Sequence, residues 1–231
     1  MSTQHPESMI GGLPRRAGLV FLAAATLLSG CATREKALLD ARLLGDQAML
    51  EDRYADAAAE YEAYLEERPG RHEVLYKLGR AYEGMGEHSA AREAFGVAYE
   101  LQPDNPEYIE ALARTMAENG EADGAFDMLE RIAAESQRSD AYLRLGGFLL
   151  DQGLADEAVQ AMTIAAHLQP SAEPYQALAG AYQRFGDAER EIEALRHVLW
   201  FDPADQASAN RVRALGQIPG PTFAAPPADE G

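Results

Sequence analysis

Residues 72–105 have the sequence HEVLYKLGRAYEGMGEHSAAREAFGVAYELQPDN. Apolar or small residues recur three, four and seven positions apart, first from Leu75 to Tyr82 and again from Ala91 to Ala98. This spacing places each set on one face of an α-helix. Gly86 lies between the two sets and Pro103 follows the second. Because glycine permits a tight turn and proline stops a helix, the stretch predicts two antiparallel helices joined by a turn.

The same pattern returns along the chain every 34 or 33 residues. Residues in equivalent positions are Gly45, Gly79 and Ala113; Ala57, Ala91 and Ala125; Tyr61, Phe95 and Leu129; and Pro69 and Pro103. The fourth copy contains Leu145-Gly146 and ends at Pro170. This period predicts five units, which are residues 38–71, 72–105, 106–138, 139–171 and 172–204. Since one helical pair cannot bury both of its apolar faces, we expect neighbouring pairs to stack.

These recurring positions resemble those of the tetratricopeptide repeat (TPR), and the resemblance covers roughly residues 38–204. It implies an all-α fold, a right-handed superhelical solenoid of about five helix pairs. Residues 205–216 predict a polar helix that caps the exposed end. Residues 217–231 contain four prolines and two acidic residues, a composition that predicts a disordered tail.

Two units depart from the pattern. The third has Gln137 and Arg138 in place of its terminal proline, and Ser139 is then the predicted N-cap of the next helix. The fifth has Glu191 where the other units have alanine.

The N-terminal residues have the features of an export signal. Arg15 and Arg16 precede an uncharged apolar run over residues 17–27, which is too short to cross a bilayer as a stable helix. The segment that follows, Leu28-Ser29-Gly30-Cys31, resembles the lipobox of bacterial lipoproteins. The alternative is an uncleaved membrane anchor or a cysteine that stands there by chance.

The lipobox resemblance implies three further features. Residues 1–30 would be removed as a signal peptide, whether the chain starts at Met1 or at Met9. Cys31 would carry diacylglycerol and an acylated amine, followed by a short tether over residues 31–37. An aspartate directly after the cysteine would retain the protein at the inner membrane. This chain has Ala32 there, which implies a location at the outer membrane, facing the periplasm, in an organism that has an outer membrane.

Composition and motif content argue against several classes of function. The formal net charge of −18 repels nucleic-acid phosphates, so we expect no nucleic-acid partner. Cys31 is the single cysteine, which excludes an intrachain disulfide. The five histidines do not stand at metal-ligand spacings, and neither a nucleophile elbow nor a phosphate-binding glycine loop is present. We therefore predict a protein that is not an enzyme and has no cofactor, metal or small-molecule substrate.

In the family that the repeats resemble, the first helix of each pair lines a concave surface that binds peptides or partner helices. Counting from the Leu-Gly positions places one arginine of each first helix on this surface, together with Tyr76: Arg42, Arg80, Arg114, Arg144 and Arg184. A row of guanidinium groups would bind carboxylates bidentately. The alternative, which we favour, is that these arginines pair with neighbouring Asp and Glu on the same face.

The resemblances together predict a lipid-anchored scaffold or adaptor that holds other envelope proteins in its groove. Similar repeat lipoproteins serve pilus assembly and secretion systems, so assembly of such a machine is the specific expectation. The alternative is a regulatory activator of a cell-wall (peptidoglycan) enzyme.

Overall fold

The structure, a computed structural model, describes residues 38–227, and over that range it contains eleven α-helices and no strand. Helix α1 covers residues 38–50. The others are α2 (Tyr54–Glu67), α3 (His72–Met85), α4 (His88–Leu101), α5 (Pro106–Glu118), α6 (Ala122–Ser136), α7 (Ser139–Asp151), α8 (Ala155–Leu168), α9 (Ala172–Phe185), α10 (Ala188–Phe201) and α11 (Gln206–Ala214). The predicted all-α fold class is confirmed. The predicted signal peptide, Cys31 and the tether lie outside the described residues, as do residues 228–231.

The helices pack as consecutive pairs, and each pair packs on the next. Within pairs, α3 packs on α4, α7 on α8 and α9 on α10; between pairs, α2 packs on α3, α4 on α5, α6 on α7 and α8 on α9. Helix α7 also contacts α5 and α9 directly. We call the surface made by α1, α3, α5, α7 and α9 the first-helix face. Because α5, α7 and α9 approach one another, this part of the face is the inner side of the stack.

A left-handed residue closes the turn inside each pair. Gly86 has φ 75°, and the Glu87 N–H donates to the Tyr82 carbonyl at 2.9 Å. This bond satisfies a carbonyl that the end of a helix would otherwise leave unpaired. The first pair has Asp52 at this position with φ 54°, and there the Arg53 N–H donates to Ala48 at 2.9 Å. The turn geometry thus persists where the glycine does not.

A small residue on the first helix faces a large one on the second. A Cβ atom added to Gly79 would lie 2.6 Å from Cε1 of Phe95, and one added to Gly45 would lie 2.6 Å from Cε1 of Tyr61. The third pair places Ala113 and Leu129 at the equivalent positions, both buried in one cluster. Where the first helix has alanine instead of glycine, the second helix therefore has leucine instead of a larger aromatic residue, as close packing requires.

Glu191 connects the last pair to the capping helix α11. Its side chain is only 3% exposed, and both carboxylate oxygens accept hydrogen bonds from Arg211, from Nε at 2.5 Å and from Nη2 at 2.8 Å. A bidentate pair of this kind satisfies a charge that would otherwise be costly to bury. Ala209 and Val212 of α11 complete the attachment by entering the core of the last pairs.

The prediction of a disordered tail is wrong for residues 220–225. The Arg196 Nε donates to the Phe223 carbonyl at 2.9 Å, and the His197 Nδ1 lies 2.9 Å from the Ala225 carbonyl. Phe223 also packs against the apolar cluster of the last pairs, under the guanidinium group of Arg196. These contacts order the segment in spite of its prolines, since donors on α10 satisfy its carbonyls and the cluster buries its aromatic ring.

The prediction that Ser139 caps α7 is also wrong. Ser139 is the first residue of that helix, and Arg138 is the N-cap without a side-chain capping bond. The buried Ser139 hydroxyl donates instead to the Ala165 carbonyl of α8 at 2.9 Å. It therefore satisfies a carbonyl in the last turn of the neighbouring helix.

Candidate functional site

A groove of about 680 Å³ lies on the first-helix face between α5, α7 and α9. Its apolar lining includes Leu129, Leu143 and Phe148, and Gly147 of α7 leaves its middle open. Its charged lining consists of five carboxylates and two guanidinium groups, which are Glu110, Glu118, Asp140, Asp151, Glu173, Arg114 and Arg144. A surface that combines apolar contacts with several charged groups is suited to a polypeptide segment.

Of the six groove residues predicted from the sequence, only Arg114 and Arg144 line this groove. Tyr76 instead packs between the second and third units, with its ring centroid 5.5 Å from that of Phe95 and 5.1 Å from that of Tyr108. Arg42, at the N-terminal end, has a buried Nε with no hydrogen-bond partner in residues 38–227. Its charge lies near Asp46, which accepts hydrogen bonds from Lys77 and Tyr61.

Arg80 and Arg114 share one carboxylate. Glu83, whose side chain is 15% exposed, lies 3.2 Å from the Arg80 Nε and accepts a 2.7 Å hydrogen bond from the Arg114 Nη2. Burial acts to lower the pKa of Arg114, but the hydrogen bond to Glu83 and the negative charges of Glu83 and Glu118 together outweigh it, so the pKa is raised. Both guanidinium groups are thus held by a carboxylate of the same face.

Arg144 and Arg184 also make ion pairs, each with a different aspartate. The Arg144 Nη2 donates to Asp140 at 3.0 Å, and its side chain is only 13% exposed. Arg138 donates to the same carboxylate at 2.6 Å. Although burial acts to raise the pKa of Asp140, these two arginines hold it below its usual value. Arg184 donates to Asp151 at 2.9 Å.

Four of the five arginines in the predicted row therefore make ion pairs within the first-helix face, as the favoured alternative describes. Two of these pairs join neighbouring units, since Arg114 lies 31 residues from Glu83 and Arg184 lies 33 residues from Asp151. Because these spacings are close to one repeat period, the sequence contains a signal for pairs between neighbouring units.

A second cavity, of about 530 Å³, lies at the C-terminal end between α10, α11 and the tail. Trp200, which is 50% exposed, lines it together with Pro203, Pro219 and Pro221. Sequence analysis missed this cavity because its walls depend on the fold of the tail.

No helix in residues 38–227 combines the length and the apolar character that a membrane crossing needs. In the same range, no cluster of three or more His, Cys, Asp or Glu side chains is arranged to hold a metal ion.

Comparison with known proteins identifies the repeat. The family model for the tetratricopeptide repeat matches residues 48–115, which lie in the first three helix pairs. The chain contains tetratricopeptide repeats over this range. Proteins of this family generally mediate interactions between proteins.

Similar proteins support the fold of this TPR chain. The crystal structure of MamA protein aligns with a TM-score of 0.53 and 22% identity, over 78% of this chain and 96% of that one. A thermophilic TPR protein in Thermus thermophilus aligns with a TM-score of 0.50 and 22% identity, over 77% of this chain and 98% of that one. At this level of identity the likeness concerns the fold alone.

Among curated proteins, cellulose synthase operon protein C of Xanthomonas axonopodis pv. citri (strain 306) is 30% identical over 151 residues. The match covers 59% of this chain but 10% of that protein. The TPR chain thus spans about a tenth of the length of this relative.

Proposed function

We propose that this TPR protein is an interaction scaffold of the bacterial envelope, which holds segments of partner proteins on its first-helix face. The observation that carries this proposal is the open groove between α5, α7 and α9. The groove is about 680 Å³ in volume and combines Leu143 and Phe148 with charged side chains. This volume accommodates several side chains of a peptide or of a partner helix.

Placement at the envelope is supported by residues 15–31, with their paired arginines, apolar run and Leu-Ser-Gly-Cys segment. In this proposal Cys31 bears the lipid and the protein lies at the outer membrane, facing the periplasm. Helix α1 is described from residue 38, so it begins seven residues after the cysteine. An extended chain of that length reaches about 24 Å. The scaffold would therefore work close to the membrane, where pilus or secretion machinery is assembled.

Two variants with matched chemistry test whether the groove is the working surface. Gly147→Phe places a ring in the groove, and Gly96→Phe places the same ring on α4, away from it. At both glycines an added Cβ meets no atom within 4 Å, so neither substitution forces a clash at Cβ. Cross-linking in intact cells, affinity capture and mass spectrometry would then compare both variants with the wild type.

We expect the wild type and Gly96→Phe to capture the same envelope complex and Gly147→Phe to lose it. Capture by all three proteins would contradict the groove as the binding surface. Failure of the wild type to capture any envelope subunit would contradict the scaffold itself. Cys31→Ser tests the anchor separately, since it should move the protein from the membrane fraction to the soluble fraction. A variant that stays with the membrane would refute lipidation at this cysteine.

A further inference from the structure

The charged side chains of the groove are unevenly balanced. Five carboxylates face two guanidinium groups across its lining. The groove therefore has an excess of three negative charges. A row of arginines on this face would instead favour a ligand that carries carboxylates.

Neither guanidinium group of the lining is free. Arg114 is held by Glu83, a residue outside the lining, and Arg144 is held by Asp140. An acidic ligand would have to compete with these carboxylates, which are already positioned by the helices. It would also meet the remaining negative charges of the groove at close range.

Two carboxylates of the lining are available to a ligand. Within residues 38–227, the side chains of Glu110 on α5 and Glu173 on α9 make no hydrogen bond or ion pair, and both residues are exposed. They come from the two helices that flank α7, so they border the groove on both sides. Phe148 and Leu143 of α7 supply apolar surface between them.

We propose that this groove takes a partner segment that carries lysine or arginine side chains beside an apolar residue, and that it rejects acidic or phosphorylated segments. The inference deepens the proposed function and rests on it. The basic side chains of the ligand pair with Glu110 and Glu173, and its apolar residue packs on Phe148. Charge complementarity of this kind selects among partners and speeds their encounter.

The test is a selection of peptides from a random dodecapeptide phage library by the purified full chain. Affinities of the selected peptides would then be measured by fluorescence anisotropy. The groove variant is Glu110→Lys with Glu173→Lys. The control variant is Glu130→Lys with Glu157→Lys, which reverses two exposed carboxylates on the second helices α6 and α8, outside the groove lining. Both variants have the same total charge, so general attraction between a basic peptide and an acidic protein cancels from the comparison.

We expect the selected peptides to carry a net positive charge. Their dissociation constants should rise roughly tenfold in the groove variant, because two attractive pairs become repulsive, and should change little in the control. At about 1 M salt, where the Debye length is about 3 Å, the difference between the variants should largely disappear.

Other results separate this inference from the scaffold proposal. Selection of neutral or acidic peptides would overturn the charge preference and leave a scaffold in place. Basic peptides that bind both variants equally would show that the site lies elsewhere on the chain. If no peptide is enriched, the inference is overturned, and the scaffold is judged by the cross-linking experiment alone.

Discussion

Replacing Gly79 by alanine places a methyl group where the ring of Phe95 already lies. The added Cβ would be 2.6 Å from Cε1, 2.7 Å from Cδ1 and 2.9 Å from Cζ of that ring. Phe95 is fully buried, and the ring of Tyr76 packs against it at 5.5 Å. The ring therefore cannot move aside without disturbing the contact between the second and third units.

The expected cost follows from two opposing effects. Overpacking of a buried site costs about 1–3 kcal/mol, whereas exchange of glycine for alanine in a helix stabilises it by about 1 kcal/mol. We expect Gly79→Ala to lower the free energy of unfolding by up to about 2 kcal/mol. Gly96→Ala is the control for helix propensity, because nothing lies within 4 Å of a Cβ at that position on α4. It should stabilise the protein by about 1 kcal/mol.

The third unit supplies the compensating substitution. It has Ala113 and Leu129 at the positions of Gly79 and Phe95, and both are buried. Phe95→Leu alone should be destabilising, because it leaves a cavity. In the double variant the alanine methyl group occupies part of that space, so the two substitutions should be coupled by about 1–2 kcal/mol.

Urea unfolding of the four proteins of this cycle, followed by far-ultraviolet circular dichroism, measures the coupling. A Gly79→Ala variant that is stabilised as much as Gly96→Ala would refute the steric argument. Additive effects of the two substitutions, with no coupling energy, would refute the compensation between the small and large positions.

Three further predictions concern the termini of helices. Gln137 ends α6 with φ 51°, so Gln137→Gly should raise the free energy of unfolding by about 1 kcal/mol, and a lower urea midpoint would contradict this. Arg211→Gln leaves the buried Glu191 without its partner and should lower the melting temperature more than Arg213→Gln on the same helix; equal shifts would argue against this ion pair as the attachment of α11. The Ser208 hydroxyl and other donors hold the pKa of the N-cap Asp205 below its usual value. The stabilisation of α11 by the Asp205 carboxylate should therefore be present above pH about 4 and be lost as the pH falls through the lowered pKa. Hydrogen exchange of α11 amides measures this loss, and Asp205→Ala, which costs about 1 kcal/mol at neutral pH, should remove the dependence on pH.

The signals that predict the helices and turns of the repeat are local. Apolar spacing defines the helix faces, and a glycine such as Gly86 marks a turn that needs a left-handed residue. The tail shows the limit of composition as evidence. Its prolines predict disorder, but Phe223 meets an apolar cluster, and side chains of α10 donate to its backbone.

The candidate groove was predicted only in part. Positions on the first helices follow from the period, and two of the arginines found in this way, Arg114 and Arg144, are in the lining. The charge available to a ligand depends on which neighbours already hold each arginine. Glu83, one unit earlier, neutralises Arg114, and this contact is decided by how adjacent pairs pack.

The all-helical fold, the repeat length and the positions of the turns can be predicted from the sequence. Each of these depends on hydrogen bonds and side-chain contacts between residues close in the chain, so a periodic pattern is sufficient to specify them. Packing between helices is needed to see that Glu191 is buried against Arg211 and that residues 220–225 lie on α10. It also shows that, within residues 38–227, the Glu110 and Glu173 side chains stay unpaired in the groove. These features depend on which side chains of different helices meet, and packing geometry sets those distances.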